Sequence, residues 1–305
     1  VYLSLWGGAP VVVKIIKGVS LDDQRVEESF EASLSASIAH PNVVQTYKHS
    51  TRMKQVNELG VQNRYLETWI VQEWCDRGAL RPFCNKPRID GCALHEAIEM
   101  TMEIALALAY LHDRGIIHGD LTPNNVLLKS NTSAKGVLCK VGDFGLARVL
   151  EGEDQGIVTE SMGTVTHMPP ELFSVDTHER VLSSKVDVYA LGIIMHEVIV
   201  GQMPFVGHSA PQVVVKIATG ARLELPTRCR EDVAELFRAC THKKVQERAN
   251  LDEVVRLLGA IHRDPSLGGG LCHLQESARK LIQKAAWRSV GIPTDCYPSS
   301  ISMTL

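Results

Sequence analysis

An aspartate and an asparagine stand five residues apart in His118-Gly119-Asp120-Leu121-Thr122-Pro123-Asn124-Asn125, and the apolar run Val126-Leu127-Leu128 follows them. A carboxylate and an amide held on one turn after a buried helix suit a base that orients a hydroxyl and a ligand that grips a cation. A second acid, Asp143, precedes Phe144 and Gly145 and follows the apolar-rich run Val137–Val141. An acid at a strand end, beside an aromatic anchor and a glycine pivot, can hold Mg²⁺ and still change position. Lys14 closes the strand-like run Val11-Val12-Val13, and Glu31 on the next helix is its natural ion-pair partner. Phosphoryl transfer asks for this set: a lysine on the phosphates, metal ligands across them and a carboxylate on the attacking hydroxyl. Taken singly, each residue reads as a solvated charge or a chance tripeptide; the joint order carries the argument.

Such groups need rigid elements to hold them. Tyr2 to Trp6 and Val11 to Ile16 are β-rich runs joined by Gly7-Gly8-Ala9, which predicts a hairpin. Val26, Phe30, Leu34 and Ile38 recur at helical spacing between Asp22 and Ala39, with Asp22 or Asp23 as the cap and His40-Pro41 as the stop. Strands are expected around Val43–Tyr47 and Tyr65–Trp74, with a polar loop between them. Helical patterns then dominate: Ala93–Arg114, Ser184–Val200, Gln212–Ala218, Asp232–Thr241 and Asn250–His262. A small strand-rich part followed by a larger helical one predicts an α+β fold of two lobes. After the break at Ser266–Gly270, the spacing of Leu274, Ala278, Leu281, Ile282 and Ala285 predicts one further amphipathic helix and a tail.

Composition narrows the classes. The 305 residues are 45% hydrophobic with a net charge of −3, and no Lys/Arg block argues for nucleic acid or an anionic membrane as partner. The longest apolar stretch, Val186 to Val200, carries Asp187, His196 and Glu197 and reads as a core helix, so no membrane insertion is expected. No signal peptide is visible, and residence in the cytoplasm is the expectation. The eight cysteines include no CxxC pair and no ligand-spaced Cys/His cluster, which points to reduced thiols rather than zinc or disulfides. His40, His112 and the other scattered histidines read as caps or surface residues.

These motifs are joined downstream by Met168-Pro169-Pro170-Glu171, by Asp187-Val188-Tyr189-Ala190-Leu191-Gly192 and by Arg248. In that order they resemble eukaryotic protein kinases from about Val1 to His262. The resemblance implies a kinase domain over 1–262, with an N-lobe about 1–74, a hinge about 73–78 and a C-lobe about 79–262; 263–305 would be a C-terminal extension. It implies ATP and Mg²⁺ as cofactors, Asp120 as catalytic base, Asn125 and Asp143 as metal ligands, and Lys14 on the α/β-phosphates, paired with Glu31. Gln72-Glu73-Trp74-Cys75 matches the gatekeeper and hinge, where adenine would bond to backbone, with Leu127 beneath the ring and Val12 above it. Val1 matches the valine after the glycine-rich loop, which places that loop and the first strand upstream. His118 and Phe144 would be spine residues anchored on Asp187, and Glu171 would pair with Arg248.

Departures from the pattern qualify the expectation. Gly119 replaces the usual Arg before the catalytic Asp, so a phosphate on Thr159, Ser161 or Thr164 would lack its standard partner. Ser35 and Thr46 replace large apolar spine residues, which favours an active state that needs an activating protein partner. Thr122 stands where serine/threonine kinases usually carry Lys and tyrosine kinases Ala or Arg; Pro123 and Gly163-Thr164 favour serine/threonine specificity, and the Cys229…Arg248 stretch resembles the tyrosine-kinase-like, Raf/mixed-lineage serine/threonine group. The implied partner is a protein substrate with a Ser/Thr hydroxyl. The alternative is a pseudokinase acting as a binding or scaffolding module.

Overall fold

Gly7 and Gly8 both take positive φ, +58° and +83°, and form a two-residue turn that pairs Trp6 with Ala9. That geometry needs residues without a Cβ penalty, which is why a glycine pair sits there. The turn joins β1 (Tyr2–Trp6) to β2 (Ala9–Lys17), as the sequence predicts. The computed structural model describes residues 1–17, 24–58, 61–84, 94–133, 135–149, 157–158, 164–173, 181–227 and 229–264. The proposed cap at Asp22 or Asp23, Thr159, Ser161 and the Leu274–Ala285 helix lie outside them.

The first lobe is an antiparallel sheet of order β1-β2-β4-β3, with α1 (Gln24–Ser37) packed against β3 (Thr46–Glu58) and β4 (Val61–Glu73). Two expectations change here. The polar loop between the last two strands is itself strand, because the backbone ladder continues from Thr46↔Gln72 to Glu58↔Val61 without needing apolar side chains. Val43 and Val44 are not in the strand; they are buried beneath it, and their backbone leads into the second lobe. Val44 N–H donates to Val141 O at 2.8 Å, Val141 N–H donates to Asn42 O at 2.8 Å, and Asn42 Nδ2 donates to Cys139 O at 3.0 Å. The lobes are thus tied by a short polar clasp as well as by the chain running from β4 to the short helix α2 (Arg81–Cys84).

The second lobe is built around α3 (Leu94–His112), buried on nearly every face between Ala97 and Leu111. Below it lie β5 (Ile116–Ile117) and the hairpin of β6 (Val126–Ser130) with β7 (Val137–Val141), then β8 (Arg148–Val149), which pairs β5, and β9 (Ile157–Val158), which pairs β10 (Val181–Leu182). α4 (Lys185–Val200) is buried on every face from Val186 to Val198, and Gly201 ends it at φ +74° with its N–H on Glu197 O at 2.8 Å. A Cβ on Gly192 would stand 2.7 Å from Thr241 Cγ2 and 2.9 Å from Cys240 Cβ, so glycine sets how closely α6 (Glu231–Cys240) approaches. α5 (Ala210–Ala218) starts two residues earlier than its apolar pattern suggests: Pro211 is tolerated in a first turn, and Ser209 N–H donates to Gln212 Oε1 at 2.8 Å. α7 (Leu251–His262) packs across α3. The α+β, two-lobed architecture is the one the sequence predicts. No helix among the described residues is long and apolar enough to cross a membrane.

Candidate active site

β2 carries Lys14 opposite Ile70 of β4, and the side chain reaches α1. Lys14 Nζ lies 2.6 Å from Glu31 Oε1 and 2.8 Å from Asp143 Oδ1, so one ammonium bridges an acid from each lobe. Burial pulls the lysine pKa down, but the charges of Glu31 and Asp143 outweigh it and leave the pKa raised. Burial pushes Asp143 up, while the hydrogen bond and charge of Lys14, with His118, bring it below its ordinary value. Both groups are therefore held charged. Asp143 has φ +62°, a left-handed conformation that costs a non-glycine residue roughly 1–2 kcal/mol. Strain of this kind persists where surrounding contacts fix it, and the Lys14 bridge is such a contact.

The Asp120 loop is fixed from below by α4. Asp187 Oδ2 accepts the His118 N–H at 2.9 Å and Oδ1 accepts the Gly119 N–H at 3.0 Å, and His112 Nε2 lies 2.8 Å from Oδ2. Burial would raise the Asp187 pKa, yet His112 and the backbone N–H of His118 lower it. His112, read from sequence as a cap or surface residue, is instead this aspartate's largely buried partner. The His118 ring sits 5.5 Å from the buried Phe144 ring and its Nε2 lies 3.0 Å from Gly142 O. Gly119 has φ +76°, and a Cβ there would stand 2.8 Å from Leu146 O. Glycine meets a backbone demand at that position.

Asp120 is gripped from two sides. Asn125 Nδ2 donates to Asp120 O at 2.8 Å and to Asp120 Oδ2 at 3.1 Å, and the Thr164 N–H donates to Oδ1 at 2.8 Å. Thr164 thus reaches Asp120 through its backbone. With the Asn125 amide hydrogens engaged on Asp120, its carbonyl oxygen is left as the acceptor. That oxygen and the ionised Asp143 carboxylate are the hard donors Mg²⁺ takes, so the residues fit the ion.

The residues expected to face adenine divide. Gln72, Glu73 and Cys75 end β4 and lead into the connection, and Leu127 on β6 bridges Ala79. Val12 on β2 lies between Leu3 and Gln72 in the sheet. The Glu73 side chain is turned away from that edge: it lies 2.7 Å from Lys140 Nζ, 2.8 Å from Lys129 Nζ and accepts the Gln45 N–H at 2.7 Å. Its backbone N–H is engaged as well, donating to Gln45 O at 2.9 Å. Val1 stands 83% exposed at the start of β1 and lines nothing by itself. Burial, then the Glu73 charge, pushes the Cys75 thiol up to about 12. Lys129 and Lys140 escaped the sequence reading; their alternation on paired strands gives no hint that a buried glutamate needs them.

Ser35 and Thr46 are buried, as their spine positions imply, and each finds a local partner: Ser35 Oγ donates to Ala32 O at 3.1 Å, and Thr46 Oγ1 accepts from Gln72 Nε2 at 3.0 Å. Arg248 and Glu171 meet in a two-pronged pair, at 2.8 and 2.9 Å.

Residues 5–258 match the family described as protein tyrosine and serine/threonine kinase. The chain belongs to that family. Human ephrin type-A receptor 5 is 30% identical over 292 residues, covering 92% of this chain and 26% of the receptor. Chicken ephrin type-A receptor 7 is 32% identical over 260 residues, covering 84% of this chain and 24% of the receptor. A protein of Acanthamoeba polyphaga mimivirus named as a serine/threonine-protein kinase/receptor is 29% identical over 278 residues, 88% of this chain and 15% of its own. The kinase chain thus spans about a quarter or less of these relatives. The family description covers both hydroxyl classes, and these relatives do not single out the Raf/mixed-lineage group.

Proposed function

We propose that the chain is a protein serine/threonine kinase that transfers the γ-phosphoryl group of ATP to a protein hydroxyl. The observation that carries this reading is the Lys14 bridge, 2.6 Å from Glu31 and 2.8 Å from Asp143, standing together with an Asp120 held by Asn125 and Thr164. When bound, Mg-ATP supplies the phosphoryl group and the charge neutralisation across its phosphates. Lys14 places a fixed positive charge on the phosphates, and Glu31 keeps that lysine in reach. Asp143 and Asn125 present the oxygens that hold the metal. Asp120 accepts the hydrogen bond of the incoming hydroxyl and orients it. Val12 and Leu127 would hold the adenine, with backbone of Glu73 and Cys75 beside Gln72 as its hydrogen-bonding groups, and Val1 is a further candidate for the same site.

Serine/threonine specificity rests on Pro123 in the Asp120 loop and on Gly163-Thr164. The kinase domain on this reading is 1–262, with 263–305 as an extension. The small polar residues Ser35 and Thr46 support dependence on an activating partner, and the free thiols of Cys75, Cys84, Cys139, Cys229 and Cys240 suit the cytoplasm. The scaffold alternative loses one of its motives, because the φ and crowding at Gly119 account for glycine there. The test is transfer of labelled phosphate from Mg-ATP to a basic protein by the full-length chain and by Asp120→Asn. The variant is expected to lose about 10²–10⁴ in rate with its fold intact, and phosphoserine or phosphothreonine is expected in the product. Wild-type turnover by Asp120→Asn sinks the role assigned to Asp120, and phosphotyrosine alone sinks the specificity.

A further inference from the structure

Where α7 packs across α3, three ligand-type side chains come together. His95 and Glu99 are one helical turn apart on α3, so they project from one face. His262, in the last turn of α7, packs onto that face: the His95 and His262 rings are stacked with centroids 5.0 Å apart. One ligand atom from each of His95, Glu99 and His262 lies within 4.8 Å of the other two. The two histidines are not satisfied by the protein around them. His95 Nδ1 and His262 Nε2 are both buried without a hydrogen-bond partner among the described residues, and His262 is only 8% exposed. Leaving two imidazole nitrogens buried and unmatched costs about 1–3 kcal/mol each, which calls for a partner that the described residues do not supply.

We propose that His95, Glu99 and His262 form a zinc-binding site that staples α7 to α3. Two imidazoles and one carboxylate are a known type of zinc donor set, with the fourth position left to water. At Zn–N and Zn–O distances of about 2.0–2.1 Å, tetrahedral ligand atoms stand about 3.3 Å apart, so binding draws together ligand atoms that now lie within 4.8 Å of one another. His95 is partly exposed and gives the ion its way in. Lys135, whose charge reaches His262, is matched by Glu103 Oε2 at 2.7 Å and does not oppose the ion as a bare cation. The sequence holds no local Cys/His spacing that announces such a site, because its third ligand comes from the opposite end of the lobe, 163 residues after Glu99 by the numbering. The inference does not rest on the proposed kinase activity.

The experiment uses the full chain, stripped with a chelator and then titrated with Zn²⁺ or Co²⁺ alone. At a hundredfold excess over Kd, zinc is expected to raise the thermal midpoint by about 5 °C. Cobalt is expected to give tetrahedral visible bands without the thiolate charge-transfer band that cysteine ligation would add. His262→Gln and His95→Gln should each lower zinc affinity by more than the roughly 10–100-fold that even an outer-shell change costs. Should His262→Gln fail to fold, His95→Gln, at a partly exposed position, still decides the matter. The site is overturned by a midpoint that zinc leaves unmoved, by a thiolate band with cobalt, or by unchanged affinity in the variants.

Discussion

Removing the carboxylate of Glu171 isolates a charge that the fold has buried completely. The Arg248 side chain is 0% exposed and Glu171 14%, and the two join at 2.8 and 2.9 Å through both prongs. In Glu171→Ala the guanidinium keeps the Lys185 carbonyl at 2.8 Å, the His242 carbonyl at 3.1 Å and the Tyr189 ring at 5.2 Å, but no countercharge is left to it among these. Breaking a buried pair from one side costs about 3–5 kcal/mol, and the surviving carbonyls argue for the lower end, about 3. At about 2–4 °C per kcal/mol, the thermal midpoint should fall by roughly 6–12 °C. Glu171→Gln, which keeps one acceptor but loses the charge, should cost about 1.5–3 kcal/mol, the worth of a hydrogen bond to a charged group. Glu171→Leu combined with Arg248→Met removes both charges and should recover much of the loss, since a well-packed apolar pair often matches a buried ion pair. Urea titration and calorimetry read all of these. A Glu171→Ala cost below about 1 kcal/mol, the range of a surface substitution, or a double variant less stable than either single one, would refute the reasoning.

Three other outcomes follow from named contacts. Lys14→Met leaves Glu31 and Asp143 without their shared cation, so kcat with ATP should fall by about 10²-fold or more, as when a preorganised donor is removed; adenosine affinity, measured by calorimetry, should stay within a few fold. Cys75, with its thiol pushed up to about 12, should resist alkylation at neutral pH and label only on unfolding, as read by mass spectrometry of the modified peptide. Burial, with the charges of Lys140 and Arg114, lowers the His40 pKa to about 4, and its Nδ1 accepts the Asn42 N–H at 3.1 Å. The unfolded ring takes its proton near 6.5 and the folded one does not, so stability should be full above that value and decline as pH falls from 6.5 toward 4. His40→Gln should flatten that slope in pH-dependent unfolding.

The charged site was legible in the sequence because its parts must be fixed residue types at fixed local offsets. Asp120 and Asn125 share one turn, Asp143 closes a strand and Lys14 sits in a strand of valines, so each local pattern already states the geometry of its own piece. The helices were legible for a similar reason, since a buried face of 3.6 period needs only its own sequence to declare itself. What stayed hidden depends on pairing across long separations. The run from Lys54 to Arg64 is mostly polar in sequence, and only the ladder of β3 with β4 makes its described residues strand. Nothing near Glu73 in the sequence announces that Lys129 and Lys140 surround its carboxylate. Gly119 reads as a lost arginine until its φ of +76° and the 2.8 Å approach to Leu146 O show a backbone that glycine relieves. His112 and His262 pose the same problem from the other side: an isolated histidine carries no sign of its partner. One lies against Asp187, and the other faces His95 across two helices. Buried polar groups whose partners lie far along the chain are therefore where a structure adds most to a reading of this sequence, since satisfaction of those groups, unlike apolar periodicity, leaves no local trace.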